Sequence, residues 1–305
     1  MIKYDGSNVV NVVSEESSNL GFIKKFIVLE NGNLLIGSLN GLWEYDGEQF
    51  KKVNQKYGLS AKAKVADIIR DGNEFLISVY GKGVARHDGR ETTFITVQKD
   101  GITTNSVDHL MKDSKGNIWM ASKSMGVSKY QADPLRQLEP QDPPEGSRVI
   151  NYNTSNGLNN DYILQIAEDN HVHLWFASYG GGLNIFDGNS FRYLDTEKGL
   201  TSDNIYSVIA DDEGNIWAGT QNGVDKITLD DQGEIEKIVN YDKYDGFTGI
   251  ENNSMANYKD ELGNLWFGTI KGVMRYKPSA DRFNPTPPIT NITNLKLFFK
   301  DVDWN

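Results

Sequence analysis

Gly214-Asn215-Ile216-Trp217-Ala218-Gly219-Thr220 decides the reading of this chain, because the same pattern returns along its length. It combines a Gly-Asn turn, two apolar residues, a small residue and Ser or Thr, and a later glycine followed by an apolar residue. The other copies are Gly32-Asn33-Leu34-Leu35-Ile36-Gly37-Ser38 and Gly72-Asn73-Glu74-Phe75-Leu76-Ile77-Ser78. Then come Gly116-Asn117-Ile118-Trp119-Met120-Ala121-Ser122, the looser His173-Leu174-Trp175-Phe176-Ala177-Ser178, and Gly263-Asn264-Leu265-Trp266-Phe267-Gly268-Thr269. Aligned on Leu35, Phe75, Trp119, Trp175, Trp217 and Trp266, they recur at intervals of roughly 40 to 56 residues, the period of a β-propeller blade. The longest interval holds a Pro-rich insertion at 140–146, read as a surface loop.

Each unit resolves into four short strands, A to D. Strand A is the apolar stretch before the Gly-Asn turn, such as residues 205–210. Strand B carries the Trp, and strand C starts at the second glycine. Asp46-Gly47, Asp88-Gly89 and Asp187-Gly188 follow strand C, and Asp-Gly suits a tight hairpin that sends strand D straight back. No window keeps the i, i+3, i+4, i+7 apolar spacing of a helix. Strand B is apolar on both faces, as stacking between two neighbouring blades requires. The expected fold is therefore all-β: a propeller of four-stranded antiparallel blades. Six repeats are recognisable, and Tyr4-Asp5-Gly6 reads as part of a further N-terminal blade, which points to seven blades in a longer parent. The propeller is expected to occupy residues 1–282. Residues 8–13 are expected to close the ring by pairing with residues 272–276, and the repeat tryptophans to be buried between blades.

Composition narrows the function. Lys and Arg number 31 against 42 Asp and Glu, a formal net charge of −11, which repels a phosphate backbone and argues against nucleic acid as a partner. The chain has no cysteine, so disulfides, thiolate zinc sites and cysteine nucleophiles are excluded. No apolar run reaches the length of a membrane-spanning helix. The first residues lack the regions of a signal peptide, so an exported form is expected to be trimmed.

The repeat resembles that of the two-component regulator propeller family. Gly199-Leu200-Thr201-Ser202-Asp203-Asn204-Ile205, continuing through Asp211, Gly214, Trp217, Gly219 and Thr220, carries the resemblance most fully. Gly157-Leu158-Asn159-Asn160-Asp161 and Gly101-Ile102-Thr103-Thr104-Asn105 open other units alike. The unit at Gly72 departs most, with Phe75 for Trp. Asn284-Pro285-Thr286-Pro287-Pro288-Ile289 is similar to the family's connector into an immunoglobulin-like Y_Y_Y domain, whose first strand is expected at 292–299, making 283–305 a connector plus a truncated domain. The resemblance implies the periplasmic sensor of a membrane-bound histidine kinase or related regulator, recognising a glycan or its breakdown product. It implies as partners an oligosaccharide, the remaining sensor with its immunoglobulin-like domain, and a second copy, and no cofactor. A propeller lyase or glycosidase and a protein-interaction scaffold are the rivals.

His171 and His173 stand where other copies carry the Gly-Asn turn, so they read as turn residues, not metal ligands. Asp211, Asp212, Glu213, Asp260 and Glu261 recur in A–B turns, which argues for hairpin hydrogen bonding over acid–base catalysis; no catalytic or metal site is expected. Alternating strand direction puts the B–C and D–A loops on one face, and that face varies where the framework repeats. Tyr80, Lys82, Lys123, Tyr179, Gln221 and Lys271 at its B–C tips are the candidate ligand-binding residues, since tyrosine stacking beside polar side chains suits a sugar. Asn40 joins them there. Lys62, Lys64, Asn105, Asn160, Asp161, Asp203, Asn204, Asn252 and Asn253 lie on the D–A loops, where Asn and Asp also cap their own turns.

Overall fold

The computed structural model describes residues 2–4, 9–12, 16–131, 148–280, 296–297 and 300–301. It is an all-β propeller of six blades, five with four antiparallel strands in sequence order and a sixth with three among the described residues. Blade 1 comprises Ile23–Val28, Leu34–Ser38, Gly41–Tyr45 and Phe50–Lys52. Blade 2 comprises Val65–Asp71, Glu74–Val79, Gly83–His87 and Thr92–Ile95. Blade 3 is His109–Lys112, Ile118–Ala121, Val127–Tyr130 and Val149–Tyr152. Blade 4 is Ile163–Glu168, Leu174–Ser178, Leu183–Phe186 and Phe191–Leu194. Blade 5 holds Ser207–Ala210, Ile216–Thr220, Gly223–Leu229 and Ile235–Tyr241, and blade 6 Asn252–Lys259, Leu265–Thr269 and Gly272–Tyr276.

The repeat maps onto inter-blade packing. Trp217 faces forward onto Leu265 and Phe267 of blade 6, and Trp119 onto Phe176 and Phe186 of blade 4. The small residue two positions on leaves room for the next inner strand: a Cβ on Gly37 would meet Val65 and Ile68 of blade 2. In blade 2 the register corrects the sequence alignment. Leu76 lies opposite Arg86 as Trp217 lies opposite Lys226, so Leu76, not Phe75, takes the Trp place. Phe75 packs backward against blade 1. The extra residue at Glu74 shifts the strand by one, and a one-residue shift exchanges its faces.

Two further expectations are corrected. Val9–Asn11 pairs with Ile2–Tyr4 and not with Gly272–Tyr276, so the proposed ring closure is not made. A local hairpin needs no long loop to be ordered, and it wins the strand. Trp119, Trp175 and Trp217 are buried, but Trp266 is only half-buried, because blade 6 carries no following blade among the described residues. The apolar residue after the second glycine shows the same break. Leu42, Val84, Val127, Leu183 and Val224 are 0–1% exposed, whereas Val273 is 67% exposed. On blade 1, Phe26 is 46% exposed where Ile68, Leu110 and Val208 at the matching inner-strand place are buried. Inner strands of consecutive blades meet from blade 1 to blade 6, and none of comparable extent joins blade 6 to blade 1. The Pro-rich connector and most of the expected first immunoglobulin-like strand lie outside the described residues, which show there only the short pair Lys296–Leu297 and Lys300–Asp301.

The inner strands carry bulges at the same height. Blades 1, 2 and 4 shift register between Ile23 and Lys25, Val65 and Asp67, and Ile163 and Gln165. A bulge turns the next side chain out of the pleat. Here it sends Asp67 Oδ2 to the Leu110 N–H at 2.8 Å and Gln165 Oε1 to the Val208 N–H at 3.0 Å, each in the following blade.

Candidate functional site

The face of A–B and C–D turns is spent on framework. Asp113, Asp169, Asp211 and Asp260 each take the N–H four residues on with one oxygen. With the other, each accepts the indole N–H of its blade's Trp at 2.7–2.8 Å. The Trp266 indole, with the Asn264 and Leu262 donors, holds the Asp260 carboxyl down at about 2. These carboxylates are satisfied turn residues. His171 and His173 belong to the same turn: both backbone N–H groups donate to Asp169 Oδ1 at 2.8 Å.

The opposite face is built by hydrogen bonds between B–C and D–A loops: Tyr80 N to Lys64 O, Tyr179 N to Tyr162 O, Gly223 N to Ile250 O and Ile270 N to Glu251 O. There, side chains from blades 1 to 3 and from blades 4 to 6, or the loops leading into them, form two groups, together called the arc. The Tyr80 hydroxyl donates to Asp108 Oδ1 at 2.7 Å, and Lys123 reaches the same carboxylate with its backbone N–H at 3.2 Å and its Nζ at 3.6 Å. Burial, then this hydrogen bond, pushes the Tyr80 phenol far up, so it stays a donor. Lys24 of blade 1 feels the same two charges; burial first, then the like charge of Lys123, lowers its ammonium. On the other side Tyr162, Tyr179 and Tyr206 form a row, with ring centroids 5.5 and 6.0 Å apart. Tyr179 is 46% exposed. Burial, then Glu251, raises the Tyr206 phenol.

Beneath the arc, Asp67 binds Lys25 at 3.7 Å and His109 Nδ1 at 2.9 Å, linking blades 1, 2 and 3. Burial pushes Asp67 upward, but Lys25 and His109 together outweigh it and leave the carboxyl below its usual range. On the far side, the amides of Gln165 and Asn257 bond each other at 2.9 and 3.2 Å, tying blade 4 to blade 6. Among the described residues, no group of three His, Asp or Glu side chains is placed to hold a metal ion.

Of the residues singled out from sequence, Tyr80, Lys123 and Tyr179 belong to the arc. Lys82, Gln221 and Lys271 stay exposed on the same face, outside that chain of contacts. Several D–A residues cap their own loops: Asn105 Oδ1 accepts from Val97, Asp161 from Thr154 and Asp203 from Thr196. Sequence reading missed Lys24, Asp108, Tyr162, Tyr206 and Glu251. All except Lys24 lie at the ends of D–A loops, and an aromatic one or two residues before strand A was the available signal.

Residues 199–222, which include the Tyr206 turn and Trp217, match the two component regulator propeller family. Over 224 residues the chain is 24% identical to histidine kinase P4 of Formosa agariphila, covering 72% of this chain and 16% of that protein. In fold it is similar to the extracellular domain of a putative hybrid two-component system of B. thetaiotaomicron, with a TM-score of 0.72 and 20% identity over 91% of this chain and 38% of that one. It is also similar to virginiamycin B lyase from Staphylococcus aureus, with a TM-score of 0.56 and 12% identity over 87% of each. The chain thus spans well under half the length of the first two relatives, while the blade architecture is common to both solved structures. The unit at residues 199–222, in blade 5 and the loop leading into it, is thus similar to the repeat of two-component regulator propellers.

Proposed function

We propose that this chain is the ligand-sensing propeller of a two-component regulator, placed outside the cytoplasm, and that its ligand is a glycan or a glycan breakdown product. The arc at the loop face carries the reading. Tyr162, Tyr179 and Tyr206 offer a half-exposed aromatic platform, and Tyr80, Asp108, Lys123 and Glu251 stand beside it as oriented donors and acceptors. Apolar ring faces flanked by fixed polar groups match a sugar, whose C–H face stacks while its hydroxyls hydrogen-bond. The kinship with a histidine kinase and with an extracellular domain of a hybrid system supports signalling as the output and the periplasm as the place. The remaining sensor is then the partner that reads the bound state.

Calorimetry against a panel of neutral and uronate oligosaccharides tests this. At least one sugar is expected to bind the wild type, and Tyr179→Ala to weaken it at least tenfold with an unchanged melting temperature. Equal affinity in the two proteins would remove the arc as the site. One observation favours a second, enzymatic reading: Asp67 orients the His109 imidazole as a carboxylate orients a general base. His109 is buried, however, and its Nε2 has no partner among the described residues. New reducing or unsaturated ends after incubation with the same panel would establish turnover and displace the sensor reading.

A further inference from the structure

Blade 6 enters the propeller differently from the others. In blade 4 the register passes from Ile163 opposite Ser178 to Gln165 opposite Ala177, an excess of one residue. In blade 6 it passes from Asn252 opposite Thr269 to Asn257 opposite Phe267, five residues against two. The inner strand, which lines the channel, therefore carries a bulge at 253–256 much larger than those of its neighbours. Two non-glycine residues adopt left-handed backbone around it, Ile250 at φ 66° and Met255 at φ 57°. A β-branched residue in that region is a costly outlier that persists only where its surroundings demand it.

The surroundings are the arc. The Met255 N–H donates to the Tyr206 carbonyl at 2.9 Å, and Glu251, just before the bulge, interacts with the Tyr206 phenol. At the bulge's foot Asn252 is buried and anchored to blade 5 by its amide N–H, at 2.9 Å to Thr220 O and 2.7 Å to Gly223 O. Its Oδ1 has no hydrogen-bond partner among the described residues. At the far end Asn257 is pinned to Gln165. Between these fixed ends, Asn253 and Ser254 are exposed. The bulge is thus a ledge held at both ends, with Asn253 and Ser254 as its exposed polar part and Met255 bonded to the backbone of Tyr206.

We infer that the blade 6 bulge at 253–256 is the specificity ledge of the sensor, with Asn253 and Ser254 reading the hydroxyls of a sugar stacked on Tyr179 and Tyr206. This rests on the sugar-sensing reading and adds to it the residues that select among sugars of similar stacking area. An amide with both donor and acceptor, next to a hydroxyl, distinguishes hydroxyl configuration, which a flat ring platform does not.

The test uses the full chain and the same neutral and uronate oligosaccharide panel. Asn253→Ala with Ser254→Ala is compared with the wild type and with Asn189→Ala in the blade 4 hairpin on the opposite face. The double variant is expected to lose at least tenfold in affinity for the sugar the wild type prefers, to discriminate less among the others, and to melt at the same temperature. Asn189→Ala is expected to bind as the wild type does. Bound sugar is also expected to slow amide hydrogen exchange at 250–256. Unchanged affinity and ranking in the double variant, with Tyr179→Ala still impaired, would overturn the ledge and leave the sensor reading standing. A wild type that binds no sugar of the panel would overturn both.

Discussion

At the scale of single residues, the repeat tryptophan joins two kinds of interaction. Its ring fills the space between blades, and its indole N–H closes the A–B turn on an aspartate. Trp217→Ala is expected to cost roughly 3–5 kcal/mol through lost burial and a cavity. Trp266→Ala should cost clearly less, because its ring is half-buried; denaturant unfolding of the two variants measures the difference. Asp67 carries a pH dependence of determinate sign. Its folded carboxyl lies below the unfolded value of about 3.9, held there by Lys25 and His109 against the opposing effect of burial. Folding therefore favours its ionised form. That contribution is complete above the ordinary carboxylate range and is lost as pH falls through the folded value. Asp67→Asn should flatten the acid limb of a stability–pH curve followed by thermal unfolding between about pH 5 and pH 2.

At the scale of elements, the second glycine of blades 2 to 5 is required by how closely strand C approaches strand D. A Cβ on Gly182, at φ 65°, would be driven into the Leu194 carbonyl oxygen, and Gly83, Gly126 and Gly223 meet the same obstacle. Gly182→Ala should destabilise by at least about 2 kcal/mol, combining backbone strain with displacement of the outer strand. Gly188→Ala, in the open C–D turn with nothing near its Cβ, should cost only the left-handed conformation, about 1–2 kcal/mol. Paired chemical denaturation curves decide between them. These hairpin constraints were legible in the sequence because they act over a few residues. The blade 6 bulge was not, since only pairing against Leu265–Thr269 shows how many residues are in excess.

At the scale of the whole molecule, the packing of the described residues is repetitive but has two ends. Val224 and Val273 hold the same framework place, yet one is buried against blade 6 and the other looks outward. Val224→Ala is expected to cost about 2 kcal/mol, and Val273→Ala to stay within about 0.5 kcal/mol, as judged by unfolding midpoints. Equal losses would mean that the forward face of blade 6 is covered as fully as the others. The arc belongs to this scale too: Tyr80 and Asp108 are 28 residues apart in the chain and meet because strand A of each blade starts at the same end of the channel.

What the amino-acid sequence determined by itself was the unit: its strands, its turns, the turn role of its A–B aspartates and the division into a monotonous face and a variable one. Those properties follow from side-chain alternation and turn chemistry, which are local. The face on which each loop emerges was legible for the same reason, because strand direction assigns each loop to a face. Tertiary structure alone decided which loop residues converge, that Val9–Asn11 would choose a local partner over Gly272–Tyr276, and that Leu76 rather than Phe75 would face forward. Convergence depends on the angle between blades, and register depends on every pairing in a sheet at once, so neither is written in any one repeat.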